Sequence, residues 1–547
     1  MPQTSRMPQT SRMPQTRHSD RRRPRHWRQD LRAIGLLALV APLIPTAPAL
    51  ALEEVVIELP LLKTQLTVKL RELKSAEALR QGNSDLAELD RASNGAVGRQ
   101  VIELLRQPVP LSVKQVADGS VGSPLVEQAM LVLSSIGFVE GRSADLSGRT
   151  LTEALRQAAS DGEPTLLSLL KAVPGQRLTL DLGRTRQLFN RMLRQRQQAE
   201  SLLAVTPAVS LPVSPPLSPP LAPAVSAAST ASPIAGSAVG RRIVTLPVPH
   251  RPDPLEITLL EPASGANGRL VLISHGLWDS PAAFEGWGIL LASRGYSVAL
   301  PRHPGSDSSQ QEAVLTGQSP PPGPEELARR PKDLIAVLDA IGKGRLRLAR
   351  QVDAGRVVVL GHSWGATTAL QLAGLQPSKE TLLQRCSDLD DPDRNLSWTL
   401  QCSWLRGVRY AGLADPRVVA VGAVSPPMSL LFARGFTSEQ GGRVLLVSGN
   451  RDWVVPPDPE AIAPMRWGRA IGNQLVLVQG GDHFNLRPQG AADGGVLGLL
   501  LFAWTEAAFA AGPAVRPAPG ASPLLPAQGW GNGDLPMADV TGRLGNP

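Results

Sequence analysis

Two cysteines, Cys386 and Cys402, are all that the 547 residues contain, so at most one intrachain disulfide can form. Histidine is also scarce, with seven in the whole chain. Nor does a basic excess extend past the N-terminus. The formal charge is +9, but residues 1–51 hold nine Arg against two Asp, and the 47 remaining basic residues meet 45 acidic ones. That balance leaves nucleic-acid binding without support. What the chain does have is apolar material for a sizeable core, 42% of residues, with 51 Gly and 51 Pro marking loops and linkers. Its length exceeds one ordinary domain.

The basic excess sits in a leader. A hexapeptide repeat places Met at 1, 7 and 13, RHSDRRRPRHWRQD follows at 17–30, and the apolar run AIGLLALVAPLIPTAPALA fills 33–51. Basic region, apolar region and the small-x-small site Ala49-Leu50-Ala51 read as a signal peptide cleaved near Ala51, which implies a periplasmic or extracellular location. An uncleaved anchor is the competing reading, since the run approaches a membrane span in length. Pro42, Pro45 and Pro48 weigh against a spanning helix. In an exported chain Cys386 and Cys402 would close a loop of about 17 residues, contributing about 3 kcal/mol in the loop-entropy model. The alternative is two unpaired small hydrophobes.

Residues 52–203 read as a mostly helical domain. SPLVEQAMLVLSSIG at 123–137 repeats Leu125, Ala129 and Leu133 at helical spacing. GRTRQLFNRMLRQRQQ at 183–198 sets Leu188, Phe189, Met192 and Leu193 against five arginines. Such a helix normally buries its apolar stripe in a core and solvates the other face; the alternative is peripheral association with an anionic envelope surface. Residues 204–239, rich in Pro, Ala and Ser, form an extended spacer. From 240 to 511 strands and helices alternate. RIVTLPV and LEITLL open as an antiparallel pair, and RLVLIS, YSVAL, VVVL, VVAVGAV, RVLLVSG and QLVLV follow with helical patterns between them. Short Val/Leu strands alternating with helices specify an α/β fold, a mainly parallel sheet covered on both faces. Residues 512–547, again rich in Pro, Gly and Ala, are predicted to be a disordered tail.

Within the α/β region, GHSWG at 361–365 follows VVVL and precedes ATTALQLAG. A sharp turn out of a buried strand needs positions without Cβ crowding, which Gly361 and Gly365 supply, and it lifts Ser363 to the C-terminal edge of the sheet. A serine hydroxyl is a weak nucleophile that needs a base, and the base needs an orienting acid. His483 is the only histidine after Ser363, and it follows the strand QLVLV. Asp452 follows the strand RVLLVSG, and the neighbouring Asp482 is a poorer acid because adjacent side chains rarely orient one another this way. Two backbone N–H groups would hold a developing oxyanion: Trp364, just after the serine, and Leu277 in the turn His275-Gly276-Leu277-Trp278. No metal or cofactor is required.

The segments SHGLWDS, LASRGYSVALPRHPGSDS, RRPKDLIAVLDAI, GHSWGATTALQLAG, LADPRVVAVGAVSPP, SGNRDWVVPP and QGGDHF resemble a group of bacterial α/β-hydrolases labelled predicted dienelactone hydrolases, relatives of the platelet-activating-factor acetylhydrolases. The likeness covers most of 240–510, the cysteine pair ahead of LADPRV fits it, and residues 53–198 look like the domain of unknown function that precedes secreted members. It implies an α/β-hydrolase fold with Ser363, Asp452 and His483 as triad, acting as an esterase or lipase-like enzyme on small-molecule or lipid esters. Dienelactone hydrolases proper use a cysteine nucleophile, so the serine points to ordinary carboxylic esters. Trp278 stands where the group usually has a small residue and would narrow the acyl side of the pocket, while Ala366 replaces a common glycine without consequence. The connection 303–330 and the cysteine-bearing insertion 378–412 are expected to overhang the site. The alternatives are acyl transfer to an acceptor other than water, and an envelope-associated scaffold with a degenerate site. No specific protein partner is implied.

Overall fold

In the computed structural model the described residues are 52–59, 64–106, 122–134, 137–140, 149–160, 165–211, 238–408, 413–433, 435–437 and 439–545. The leader and most of the spacer, 212–237, lie outside them. Short extended runs near the start of the chain build a sheet that a mostly helical reading does not anticipate. Strands β1 (Glu54–Leu59) and β2 (Thr64–Lys69) pair antiparallel, and β3 (Gly137–Val139) and β4 (Arg177–Asp181) complete the order β2-β1-β4-β3. β1 and β4 are parallel although more than a hundred residues separate them in sequence. Helices still supply most of this region. They pack on the sheet around Val55, Leu70, Leu73, Leu79, Leu86, Ile102 and Leu167.

Helix Leu182–Val205 is capped by Asp181, whose carboxylate accepts from the Arg184 N–H. Its orientation reverses the expectation. Arg191, Gln195 and Ala199, spaced four apart, are buried, whereas Phe189, Met192 and Leu193 are 61%, 45% and 42% exposed. Polar anchoring explains the choice. Arg191 donates to the Asp390 carbonyl and Gln195 to the Asp393 carbonyl, both at 3.3 Å, so the helix turns its polar face to an acidic loop. Leu125 and Ala199 then join the core of the larger, C-terminal domain. The two parts are therefore packed together and share apolar contacts; they are not free bodies on a tether.

The C-terminal domain carries nine strands: β5 (Val239–Leu246), β6 (Leu255–Pro262), β7 (Leu270–Ser274), β8 (Ser297–Pro301), β9 (Val357–His362), β10 (Val418–Val424), β11 (Arg443–Gly449), β12 (Gln474–Val478) and β13 (Met537–Asp539). Their order is β13-β12-β11-β10-β9-β7-β8-β6-β5. β7 to β12 form a parallel set, and the β5–β6 pair and β13 are antiparallel additions. Alternate side chains leave opposite faces, and the core divides accordingly. Leu270, Leu272, Val357 and Val359 meet helices Glu326–Gly342 and Trp364–Leu372 on one side. Val271, Ile273, Val358 and Leu360 meet helices Glu285–Ser293 and Gly498–Ala510 on the other.

The expected disordered tail is a correction. β13 pairs with β12 from Val476 to Val478, and Trp530, Met537 and Val540 are buried. The Met537 carbonyl also accepts from Val209 N–H at 2.7 Å, so the start of the spacer is held too. A few apolar residues placed against an open sheet edge are sufficient here, where average composition argues against order.

Candidate active site

The register between β7 and β9 sets Ser274 opposite Gly361. These neighbouring strands flank the point where chain order reverses, β8 having been laid on the far side of β7. At such a switch point the loops leaving the C-terminal strand ends diverge and open a crevice. Ser363 lies two residues past Gly361 and Leu277 three past Ser274, so both emerge beside it.

Ser363 has φ 53° and ψ −124°, a left-handed backbone that a non-glycine residue holds only under constraint. Its N–H donates to Val424 O at 2.9 Å, and its own carbonyl accepts from Ala366 N–H and Thr367 N–H to begin helix Trp364–Leu372. Glycine is required on both sides. A Cβ at 361 would lie 2.3 Å from Gly365 O, and one at 365 would lie 2.0 Å from Ser274 O. The turn is this tight because β9 enters its helix while touching the end of β7.

Asp452 follows β11 and is buried. Its Oδ1 accepts from Val454 and Val455 N–H at 3.0 and 2.8 Å, while Oδ2 faces His483 Nδ1 at 3.0 Å. A carboxylate bound by two backbone donors is an acceptor, so the proton sits on His483 Nδ1 and Nε2 keeps its lone pair. The Asp482 carboxylate is occupied in a local turn, accepting from Phe484 and Asn485 N–H. His362, next to the serine in sequence, packs against His483. Its Nε2–H donates to the His483 carbonyl at 2.9 Å, and the two rings lie 4.8 Å apart. Burial, with the neighbouring His483 adding to it, drives the His362 imidazole well below its usual range, so it stays neutral. Among the described residues no hydrogen bond joins Ser363 Oγ to His483; links of this kind commonly tighten only around a substrate.

Neither the Leu277 nor the Trp364 N–H donates to another group among the described residues. The turn holding Leu277 is fixed on its far side, where Trp278 (φ 56°) donates its backbone N–H to Ser306 O at 2.8 Å and its indole N–H to Gln310 Oε1 at 2.7 Å. A Cβ on Gly276 would come 3.3 Å from Ser363 Cβ, so this turn lies directly against the nucleophile candidate.

The insertion after helix Trp364–Leu372 is joined by a disulfide between Cys386 and Cys402, with Cα atoms 5.7 Å apart. Trp404 brings its ring within 5.0 Å of Trp364, which seats the insertion on the elbow. A buried carboxylate, Glu460, ties it down. Oε1 accepts from Asn395 Nδ2, Ser397 Oγ and Ser429 Oγ at 2.8 Å and from Gln401 Nε2 at 3.1 Å. Oε2 accepts from Met428 and Ser429 N–H, both at 2.8 Å.

A buried polar layer lies under the Leu277 turn. Asp333 accepts from Arg251 Nε and Nη2 at 2.7 Å and from His250 and His303 at 2.8 Å. Burial pushes its carboxyl up, but the hydrogen bonds from His250, His303 and Arg251 prevail and hold it well below the usual carboxylate range. Burial takes His303 down to about 3, helped by the Arg330 charge and opposed by Asp333. Arg330 is fully buried, donates to the His275 carbonyl and stands 4.9 Å over the Trp364 ring. Burial lowers it to about 9, so it is still charged at neutral pH. The signal was present in RHPG and RRPKD, but nothing in the spacing says that these motifs meet.

Residues 269–379 match the family model described as the alpha/beta hydrolase fold. The sheet order and the strained serine turn agree with it. This is an alpha/beta hydrolase fold. Ser363 and the Leu277 turn lie inside the matched stretch of the hydrolase domain, and Asp452 and His483 lie beyond it. Residues 51–181, which hold the four-stranded sheet, match a second model described as an alpha/beta hydrolase of unknown function. No curated protein matches the chain.

Proposed function

We propose that the hydrolase domain is a serine ester hydrolase in which Ser363, Asp452 and His483 act together. The reading rests on one arrangement: a serine forced into a left-handed turn beside two backbone N–H groups that are unpaired among the described residues, with a histidine held in the Nδ1–H tautomer by a buried aspartate nearby. Ser363 Oγ attacks the ester carbonyl carbon and its proton passes to His483 Nε2. Leu277 and Trp364 N–H groups hold the negative oxygen, and Asp452 steadies the imidazolium. His483 returns the proton to the departing alkoxide, leaving an acyl-enzyme. Water, deprotonated by the same imidazole, then releases the acid and restores the serine.

The disulfide, of a kind that persists in oxidising compartments, supports an exported location for this enzyme. The insertion seated on Trp364 supports a role for residues 378–408 in acyl-group selection. The test is labelling with a fluorophosphonate probe and hydrolysis of a p-nitrophenyl ester series by the chain without residues 1–51. Labelling and turnover are expected in the wild type and lost in Ser363→Ala. Full activity of Ser363→Ala would overturn the proposal, and acyl-chain dependence across the series reads the pocket.

A further inference from the structure

His275 has no part in the proton transfers just described, yet it is fully buried immediately before the turn that supplies one of the two oxyanion N–H groups. Its environment settles which nitrogen carries the proton. The His303 backbone N–H donates to His275 Nε2 at 3.1 Å, so Nε2 is an acceptor and the proton resides on Nδ1. That Nδ1–H donates to Gly276 O at 2.8 Å. In a trans peptide the carbonyl and the following N–H point in opposite directions. Holding Gly276 O toward the imidazole therefore sends the Leu277 N–H the other way, away from the ring.

The acceptor state of His275 is itself held from behind. Asp333 accepts from His303 Nδ1–H at 2.8 Å, and His303 Nε2 accepts from Ser274 Oγ at 2.9 Å. Ser274, His303 and Asp333 thus repeat the order serine–histidine–carboxylate in a layer with no solvent access. Here the relay cannot react with a substrate. What it does is fix the position of the His303 backbone, the end of β7 and, through them, the His275 ring, which lies 4.9 Å from the His303 ring. The Arg330 guanidinium grips the His275 carbonyl, so the peptides on both sides of Gly276 are restrained by side chains of this layer. Burial, followed by the Arg330 charge, lowers the His275 imidazole well below its usual range, which keeps the ring neutral.

We infer that His275 is a positioning residue which aims the Leu277 N–H at the oxyanion, with its tautomer set by the buried Ser274–His303–Asp333 relay. The inference rests on Ser363 being the nucleophile, and the experiment separates the two. Two variants, His275→Leu and His275→Asn, are compared with wild type on p-nitrophenyl butyrate; the Asn amide nitrogen takes the place of Nδ1. Removing an oxyanion donor outright costs about 10²–10³ in kcat, so misdirecting one in His275→Leu is expected to lower kcat by about 10- to 100-fold with KM little changed. His275→Asn is expected to restore most of the loss. Equal losses in both variants, an effect confined to KM, or a fully active His275→Leu would overturn the inference. Nitrogen-15 histidine NMR of the wild type supplies a readout independent of catalysis. His275 and His303 are expected as Nδ1–H tautomers that do not titrate between pH 8 and 5, and an Nε2–H tautomer or a titration at His275 would overturn the inference even in an active enzyme. If the wild type shows no Ser363-dependent hydrolysis, the functional reading fails, and the NMR result still decides the geometry.

Discussion

Replacing Glu460 by Gln changes one oxygen to an amide and keeps the shape. The outcome can be worked out because four of the six donors around the carboxylate cannot rearrange. With the new amide on the Oε2 side, it faces the backbone N–H groups of Met428 and Ser429, which are fixed by the chain. On the Oε1 side the two serine hydroxyls can rotate and accept, but the Asn395 and Gln401 amides cannot flip. Asn395 Oδ1 already accepts from Ser397 N–H, and Gln401 Oε1 from Leu430 and Leu431 N–H. Either orientation leaves two buried N–H donors facing another donor. At about 1–3 kcal/mol for each stranded group, Glu460→Gln should destabilise the protein by about 2–6 kcal/mol. Urea titration followed by circular dichroism measures this, and the melting temperature should fall by several degrees. The loss should be accompanied by a higher KM, since the same contacts seat the insertion over Trp364. A change below about 1 kcal/mol would refute the view that this carboxylate clamps three loops together.

Gly365→Ala puts a methyl group 2.0 Å from the Ser274 carbonyl, where every atom it would meet is backbone, and should destabilise the fold by about 3 kcal/mol or more as well as abolish turnover; thermal denaturation and the ester assay read the two effects. Asp458, between helix Leu182–Val205 and Arg466, is pushed up to about 6, mainly by burial, with Arg466 opposing and Asp393 and Glu460 reinforcing. Between the unfolded value near 4 and this folded value, the native chain holds a proton that the unfolded chain has released. Its contribution to stability therefore falls as pH rises through that window. Asp458→Asn should accordingly melt higher than wild type at pH 8 and at the same temperature at pH 4, and a larger gain at pH 4 would contradict the assignment.

The parts of the fold and site that could be read in advance are those written locally. VVVL, RVLLVSG and QLVLV are continuous apolar runs that can only be strands buried on both faces, and GHSWG between a strand and a small-residue helix specifies its own turn. Asp452 and His483 were legible because each follows such a strand. The polar layer was not, because Arg251, His275, His303 and Asp333 come from four separate segments and meet only through the β7–β8 geometry. Strands of three to six residues, such as β3 and β1, carry too few side chains to establish a period of two inside Leu-rich sequence. In helix Leu182–Val205 the hydrophobic stripe pointed the wrong way because burial was decided by carbonyls near Asp390 and Asp393, which the helix's own sequence does not contain. Order in the tail is illegible for a third reason: Trp530 and Met537 are too sparse to shift an average composition, yet they land on an apolar edge.

β13, in the C-terminal segment, also bears on what the end of the sheet presents to other chains. A sheet of nine strands has two borders, and a bare border is a template for another chain. At β5 the border carries Arg241 and Arg242, both exposed, and charge deters a neighbour. At the other end β12 reads QLVLV, apolar after its first residue, and β13 with its three residues is what stands over it. Shortened before residue 512, the chain would keep the loops that carry Leu277, Ser363, Asp452 and His483 while offering the β12 edge to other copies. Covering the β12 edge thus falls to residues 537–539.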